Sequence, residues 1–366
     1  MGIACFRDLS HMKRIEELLT LMFEQKASDM LLTVGAPPQL RINGLLQPVE
    51  GQRCDRAMLE TMAAGVLGEA GMAELRETKN MDMSRGYEGL CRFRFNFFYQ
   101  RDSVAMAIRA IPFEIPSFDS LGLPSIIRDF AGQPHGLVLI TGPAGSGKST
   151  TLAAMIDYMN HNRRVHVVCI EDPIEYLHRH NLSVIDQREI GEDVHTFADA
   201  LRSVFRQSPD VIMVGEMRDL ETMQLALSLA ETGHLILATL HAQDTTHAVN
   251  RIVDAFPPAQ QQQVYTQLSL VLLGVVSQQL LITADGASRA LAVEVMNVNN
   301  AIRNLIREMQ VQQIYSVIQT SRAEGMVTMN DSLKDLFDRG LIDEETAMNR
   351  SPRPKELAKM LGVKKN

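Results

Sequence analysis

The sequence predicts an α/β fold in which a small α+β domain precedes a largely parallel sheet, and three observations carry that reading. Residues 91–98 begin with a polar/apolar alternation, the mark of an antiparallel strand with one buried face. Beyond residue 136, four apolar runs (137–140, 165–170, 211–214 and 235–238) are separated by helical segments, the rhythm of a sheet covered on both faces. After about Asp285 the strand signal fades, and Ile302, Leu305, Ile306 and Met309 mark one face of a helix in a C-terminal helical appendage.

Taken in order, Ile15, Leu18, Leu19 and Met22 recur at helical spacing and predict a short amphipathic helix over 15–23. Residues 29–42 read as a strand, a Pro-Pro turn and a second strand, followed by the hairpin signal Asn43-Gly44. A helix is predicted over 56–76, and residues 91–98 and 104–111 form a second antiparallel pair. Pro112, Pro116 and Pro124 interrupt the pattern. The expected division is a first domain over 1–111, a linker over 112–120 and a second domain over 121–366.

The chain has 366 residues, 45% of them hydrophobic and 22% charged, which is the composition of a globular protein long enough for two domains and for a well-buried core in at least the larger one. Its net charge of -8 has the wrong sign for a protein that grips a bare phosphate backbone, so no nucleic-acid partner is expected. Cys5, Cys54, Cys91 and Cys169 lie far apart without a C-x-x-C pair, as expected of free thiols in a reducing cytosol. The first residues lack a basic segment followed by an apolar one, so no secretory signal is read there. The apolar run 268–282 contains Ser269, Ser277, Gln278 and Gln279 and is too short to span a bilayer, so any membrane link is expected through a partner.

The sharpest signal is Gly142, Pro143, Ala144, Gly145, Ser146, Gly147, Lys148 and Ser149, which match G-x-x-x-x-G-K-[ST] between an apolar run and a helical segment. Glycines at these positions let backbone N–H groups turn inward around phosphate oxygens at the positive end of the following helix. Lys148 supplies a point charge to the β- and γ-phosphates of ATP, the Ser149 hydroxyl completes the coordination of Mg²⁺, and Thr150 assists.

Turnover needs a carboxylate beside the γ-phosphate. Gly215-Glu216 follows the run 211–214 and places an acid at a strand's carboxyl end, where ligands of parallel sheets collect; Glu216 can orient water or hold Mg²⁺ through a water molecule. Glu171, Asp172 and Glu175 form a second acidic group after the run 165–170, in which repulsion favours a nearby cation. His234 and His241 flank the run 235–238, without the acidic and cysteine partners that metal ligation requires.

The order of the phosphate loop, Ile170-Glu171-Asp172-Pro173-Ile174-Glu175-Tyr176, Val214-Gly215-Glu216-Met217-Arg218-Asp219 and Glu231-Thr232-Gly233-His234 resembles the Walker A, Asp box, Walker B and His box of the secretion ATPase superfamily. Ala301-Ile302-Arg303-Asn304-Leu305-Ile306-Arg307-Glu308, with Ala27-Ser28-Asp29 and Arg41-Ile42-Asn43-Gly44, is similar to the type IV pilus retraction ATPases of the PilT family. Ala144 stands where that family more often has Thr, and Phe98-Tyr99-Gln100-Arg101 is closer to its PilU-like members.

The resemblance implies a PAS-like first domain, a RecA-like ATPase domain and a homohexamer that powers pilus retraction through an inner-membrane platform protein. It implies a cytoplasmic location at the inner membrane and a paralogous retraction ATPase as a companion. It also implies Glu175 as general base, Glu216 as the Walker B acid, His234 and His241 as links between nucleotide and domain movement, and Arg94 and Arg109 as charge-neutralising fingers chosen from Arg92, Arg94, Arg101 and Arg109. Rival readings are an assembly or type II secretion ATPase, whose extra domain and four-cysteine insertion are not seen here, and a nucleic-acid translocase or nucleotide-gated binding protein on the same core.

Overall fold

The computed structural model describes residues 14–362 apart from 43, 52, 112, 113 and 287. Cys5, Asn43 and Pro112 therefore lie outside the described residues. Two compact units account for the chain, the first over residues up to 111 together with Glu175–Leu177, the second over 114–174 and from 178 onward.

The first unit contains α1 (Ile15–Glu24), β1 (Asp29–Leu32), β2 (Gln39–Ile42), β3 (Leu45–Pro48), α2 (Arg56–Thr78), β4 (Asn80–Gly86), β5 (Arg92–Gln100) and β6 (Ser103–Ile111). Its strands form one antiparallel sheet in the order β3-β2-β1-β6-β5-β4. The alternation in β5 settles the register: Phe93, Phe95 and Phe97 are fully buried with the apolar faces of α1 and α2, while Arg92, Arg94 and Asn96 point to the opposite face. Asp55 starts α2 by accepting a 2.8 Å hydrogen bond from Met58 N–H, and Gly68, at φ +68°, interrupts the helix that the sequence reads as continuous.

The second unit runs α3 (Phe118–Leu121), α4 (Ile126–Gly132), β7 (Gly136–Thr141), α5 (Lys148–Asn162), β8 (His166–Glu171), β9 (Val184–Glu189), α6 (Phe197–Val204), β10 (Val211–Val214), α7 (Leu220–Glu231) and β11 (Leu235–Leu240). It continues through α8 (Thr245–Asp254), α9 (Pro258–Val271), β12 (Leu272–Ile282), β13 (Arg289–Asn297), α10 (Asn300–Arg307), α11 (Ile314–Thr320), α12 (Met329–Asp338), α13 (Glu344–Arg350) and α14 (Pro354–Leu361). The sheet order is β13-β12-β7-β11-β10-β8-β9, parallel throughout except for the β12–β13 pair.

The parallel strands are apolar on both faces because both faces are covered. Leu137, Leu139, Ile212, Val214 and Ile236 join one core, and Val138, Ile140, Val211, Met213 and Leu235 join the other. Each such side chain contributes about 1.5–3 kcal/mol by leaving water, and together they hold the strand ends in register.

Three details differ from the sequence reading. Strand β13 lies beyond Asp285, where the strand signal fades, and is held by nine residue pairings with β12. The apolar run 268–282 is two elements, the end of α9 and the long strand β12. Helix α3 begins at Phe118, inside the predicted linker.

Candidate active site

Because β7, β8, β10 and β11 are parallel, their carboxyl ends share one edge of the sheet, and the motifs that follow them gather there. Residues 142–147 connect β7 to α5. Gly142, Gly145 and Gly147 have φ of +141°, +74° and +90°, so the backbone bends as L side chains rarely allow. At Gly142 the constraint is also steric: a Cβ would stand 2.4 Å from the Gln278 carbonyl oxygen and 2.6 Å from Ser146 Oγ.

The loop ends on the N-terminus of α5, with Lys148 as its first residue and Gly147 in the cap position. Lys148 Nζ donates to the carbonyls of Gly142 and Pro143, both at 3.0 Å, which brings the ammonium group over the loop. Ser149 and Thr150 follow in the first turn, half-buried, where N–H groups without helical acceptors meet the helix's positive end.

Below the loop, Gln278 of β12 is completely buried and donates Nε2–H to Thr151 Oγ1 at 2.7 Å. Ser146 Oγ, Thr141 Oγ1 and Gln278 Oε1 are buried without hydrogen-bond partners among the described residues. Unsatisfied polar atoms of this kind are costly in a core, and their grouping around a phosphate loop fits a polar ligand. Nothing in the sequence pattern singles out Gln278 for this position.

Glu216 lies just past β10. Gly215 N–H donates to Ile170 O (2.8 Å) and Met217 N–H to Thr239 O (3.0 Å), so the backbone on either side is pinned to β8 and β11. Its carboxylate, 18% exposed, is shared by two partners: Arg218 Nη2 at 2.7 Å from Oε2, and His241 Nε2 at 3.1 Å from Oε1. The hydrogen bond and charge of Glu216 raise the Arg218 pKa still further. Arg218 lies within a recognised motif, but the sequence alone gives it no role.

Glu171, the last residue of β8, is buried and accepts from Gln187 Nε2 at 2.9 Å, so it is not a solvated loop charge. Glu175 is exposed and falls in the segment grouped with the first unit. His241 joins the site through Glu216, whereas His234 stands at the other end of β11. Six strand residues put His234 about 20 Å from the loop. There its Nδ1 lies 3.0 Å from Leu229 O, and its ring meets Phe205 edge-on at 5.9 Å. In the first unit Arg94 and Arg109 are direct cross-strand partners, and Arg109 Nε donates to Asp29 Oδ1 at 2.8 Å.

Among the described residues no group of three or more His, Cys, Asp or Glu side chains could hold a metal ion. Mg²⁺ in nucleotide sites is bound by phosphate oxygens and water with one or two protein ligands. Ser149 makes no side-chain hydrogen bond among the described residues, so its hydroxyl is free to act as such a ligand.

Two more residues shape this edge from a distance. Asp219 and Asp244 cap α7 and α8 by accepting from the N–H groups of Thr222 and His247, each at 2.8 Å. Glu294 of β13, 2% exposed, accepts from Thr245 N–H (3.0 Å) and Oγ1–H (2.8 Å) at the start of α8, and from Met329 N–H (3.4 Å) at the start of α12. Burial pushes its carboxyl above the usual range, and these hydrogen bonds pull it part of the way back.

A phosphate loop between a parallel strand and a helix, with an acid at the carboxyl end of another parallel strand of the same sheet, defines the P-loop class of nucleotide-binding proteins. Comparison with known proteins narrows the class: the model of the type II/IV secretion system protein family matches residues 12–348, and the chain belongs to that family. It is 41% identical over 340 residues to the type IV pilus retraction ATPase PilT of Pseudomonas aeruginosa, covering 93% of this chain and 98% of the relative. It is 40% identical over 346 residues to the type IV pilus ATPase PilU of the same organism, covering 94% and 91%. The crystal structure of the pilus retraction motor PilT with bound ADP superposes with a TM-score of 0.88 at 48% identity, covering 95% of this chain and 99% of that one.

Proposed function

We propose that this chain is an ATPase that powers type IV pilus retraction, working as a homohexamer on an inner-membrane platform protein alongside a paralogous ATPase. Full-length similarity to PilT and PilU supports the biological role. The observation that supports the chemistry is that the glycine-bent loop with Lys148 and the acid Glu216 both follow carboxyl ends of parallel strands at one edge of the sheet. No described helix is long and apolar enough to cross a membrane, in keeping with contact through a partner.

In this mechanism the backbone N–H groups of 145–149 and Lys148 bind the triphosphate, whose oxygens replace the Gly142 and Pro143 carbonyls as acceptors for Nζ. Ser149, and Glu216 through a water molecule, would hold Mg²⁺, which would supply charge neutralisation to the triphosphate when bound. Glu216, held between Arg218 and His241, orients the attacking water, and Glu175 accepts its proton. Arg94 and Arg109 neutralise charge on the transferring phosphoryl group, with Arg109 exchanging Asp29 for phosphate. His241 reports the state of Glu216 to the start of α8, which turns phosphate contacts into movement.

A clean deletion with fibre imaging tests the role. Hyperpiliated, immotile cells support retraction; bald cells would assign the chain to assembly instead.

A further inference from the structure

Beside the phosphate loop lies a cavity of about 580 Å³, formed wholly within the second unit. Gly142, Pro143 and His241 link its lining to the site, and the lining also includes Arg251 of α8 and Arg350 at the end of α13. Both arginines are exposed, and neither side chain makes a hydrogen bond or ion pair among the described residues.

The lining sets two acids, Asp244 and Asp254, against these two cations. Asp244 is occupied by its own helix, accepting from His247 N–H and lying 2.8 Å from His247 Nδ1. His241 is engaged by Glu216. Asp254 is the remaining acid on the lining, set against two guanidinium groups.

The walls are also fixed in place. Gln279 Nε2 donates to Arg350 O at 3.4 Å, and Ser351 Oγ donates to Asn330 Oδ1 at 2.6 Å. Asn330 belongs to α12, whose first N–H is tied to Glu294, and Glu294 also holds the start of α8. Arg251 on α8 and Arg350 on α13 are thus linked through Glu294, α12 and the Asn330–Ser351 hydrogen bond.

We propose that this cavity is a binding site for inorganic phosphate, where Arg251 and Arg350 hold the cleaved γ-phosphate before it leaves. The inference rests on the ATPase reading above, which supplies the phosphate at the Glu216 side of the loop. A guanidinium presents paired N–H donors that match phosphate oxygens, and two of them, with Asp244 already engaged at the start of its own helix, can hold a dianion without trapping it. The product is displaced sideways into the cavity while the diphosphate stays on the loop.

The test uses the full chain with Mg²⁺, reading cleavage by chemical quench and free phosphate with a fluorescent phosphate sensor, and measuring inhibition by added inorganic phosphate. Arg251→Gln and Arg350→Gln each weaken phosphate inhibition about tenfold and shorten the lag between cleavage and release. Asp254→Asn tightens inhibition, a change in the opposite direction that damaged folding would not produce. If the double arginine variant cleaves ATP but keeps the parent's inhibition constant and lag, the phosphate site is overturned. A parent protein that forms no phosphate in the quench defeats the ATPase reading, a separate failure.

Discussion

Glu216 Oε1 and His241 Nε2 lie 3.1 Å apart, joining the ends of neighbouring strands β10 and β11 at the phosphate loop. Arg218 holds the other oxygen, so both ends of the carboxylate are engaged. Glu216→Gln should therefore bind nucleotide within about threefold of the parent while kcat falls about 10²–10⁴-fold, because the attacking water loses the carboxylate that orients it for proton transfer to Glu175. Fluorescent-nucleotide titration and a phosphate-release assay separate the two effects. Parental turnover would remove Glu216 from the mechanism.

Lys148→Ala removes the ammonium group that stands over the loop carbonyls. Nucleotide affinity should fall at least about 100-fold, because charge-assisted phosphate contacts are lost in a partly buried site. Isothermal titration with ADP and Mg²⁺ measures it, and unchanged heats would contradict the placement.

Glu294→Leu leaves N–H groups at the starts of α8 and α12 without their acceptor and should cost about 2–4 kcal/mol. Glu294→Gln should be milder and pH-dependent. Because the folded pKa is raised, the native carboxyl keeps its proton at pH values where the unfolded one has lost it. Parent stability therefore declines as pH rises from the ordinary glutamate value through the raised one, and the Gln variant lacks that decline. Melting curves from pH 4 to 8 should show the variant gaining on the parent as pH increases.

His178 is held neutral by burial, which lowers its pKa from 6.5 to about 4. The unfolded chain takes up the proton first, so stability present above about pH 6.5 is lost as pH falls toward 4, on the order of 3 kcal/mol in all. His178→Asn should flatten this part of the melting-temperature profile, and an unchanged acid slope would rule the residue out as its source.

What was legible in the sequence is what is encoded locally. The phosphate loop, the buried parallel strands and the Phe93, Phe95 and Phe97 alternation each occupy a few consecutive residues with a fixed period. The missed features depend on distant partners. Strand β13 carries Arg289 and Glu294, which blur its apolar signal, and it forms by pairing with β12. Gln278 meets a residue 127 positions away, and Glu294 meets one 49 positions away, distances that no local pattern encodes. His234 and His241 look equivalent in sequence because both flank one strand, yet the strand's length keeps them apart.

Release of inorganic phosphate from ATP by the purified full chain with Mg²⁺, alone and with its companion proteins, tests the central claim most directly. The structure predicts phosphate and ADP in equal amounts, lost when Lys148 is replaced by Ala. Tight nucleotide binding with no phosphate formed under either condition would contradict it.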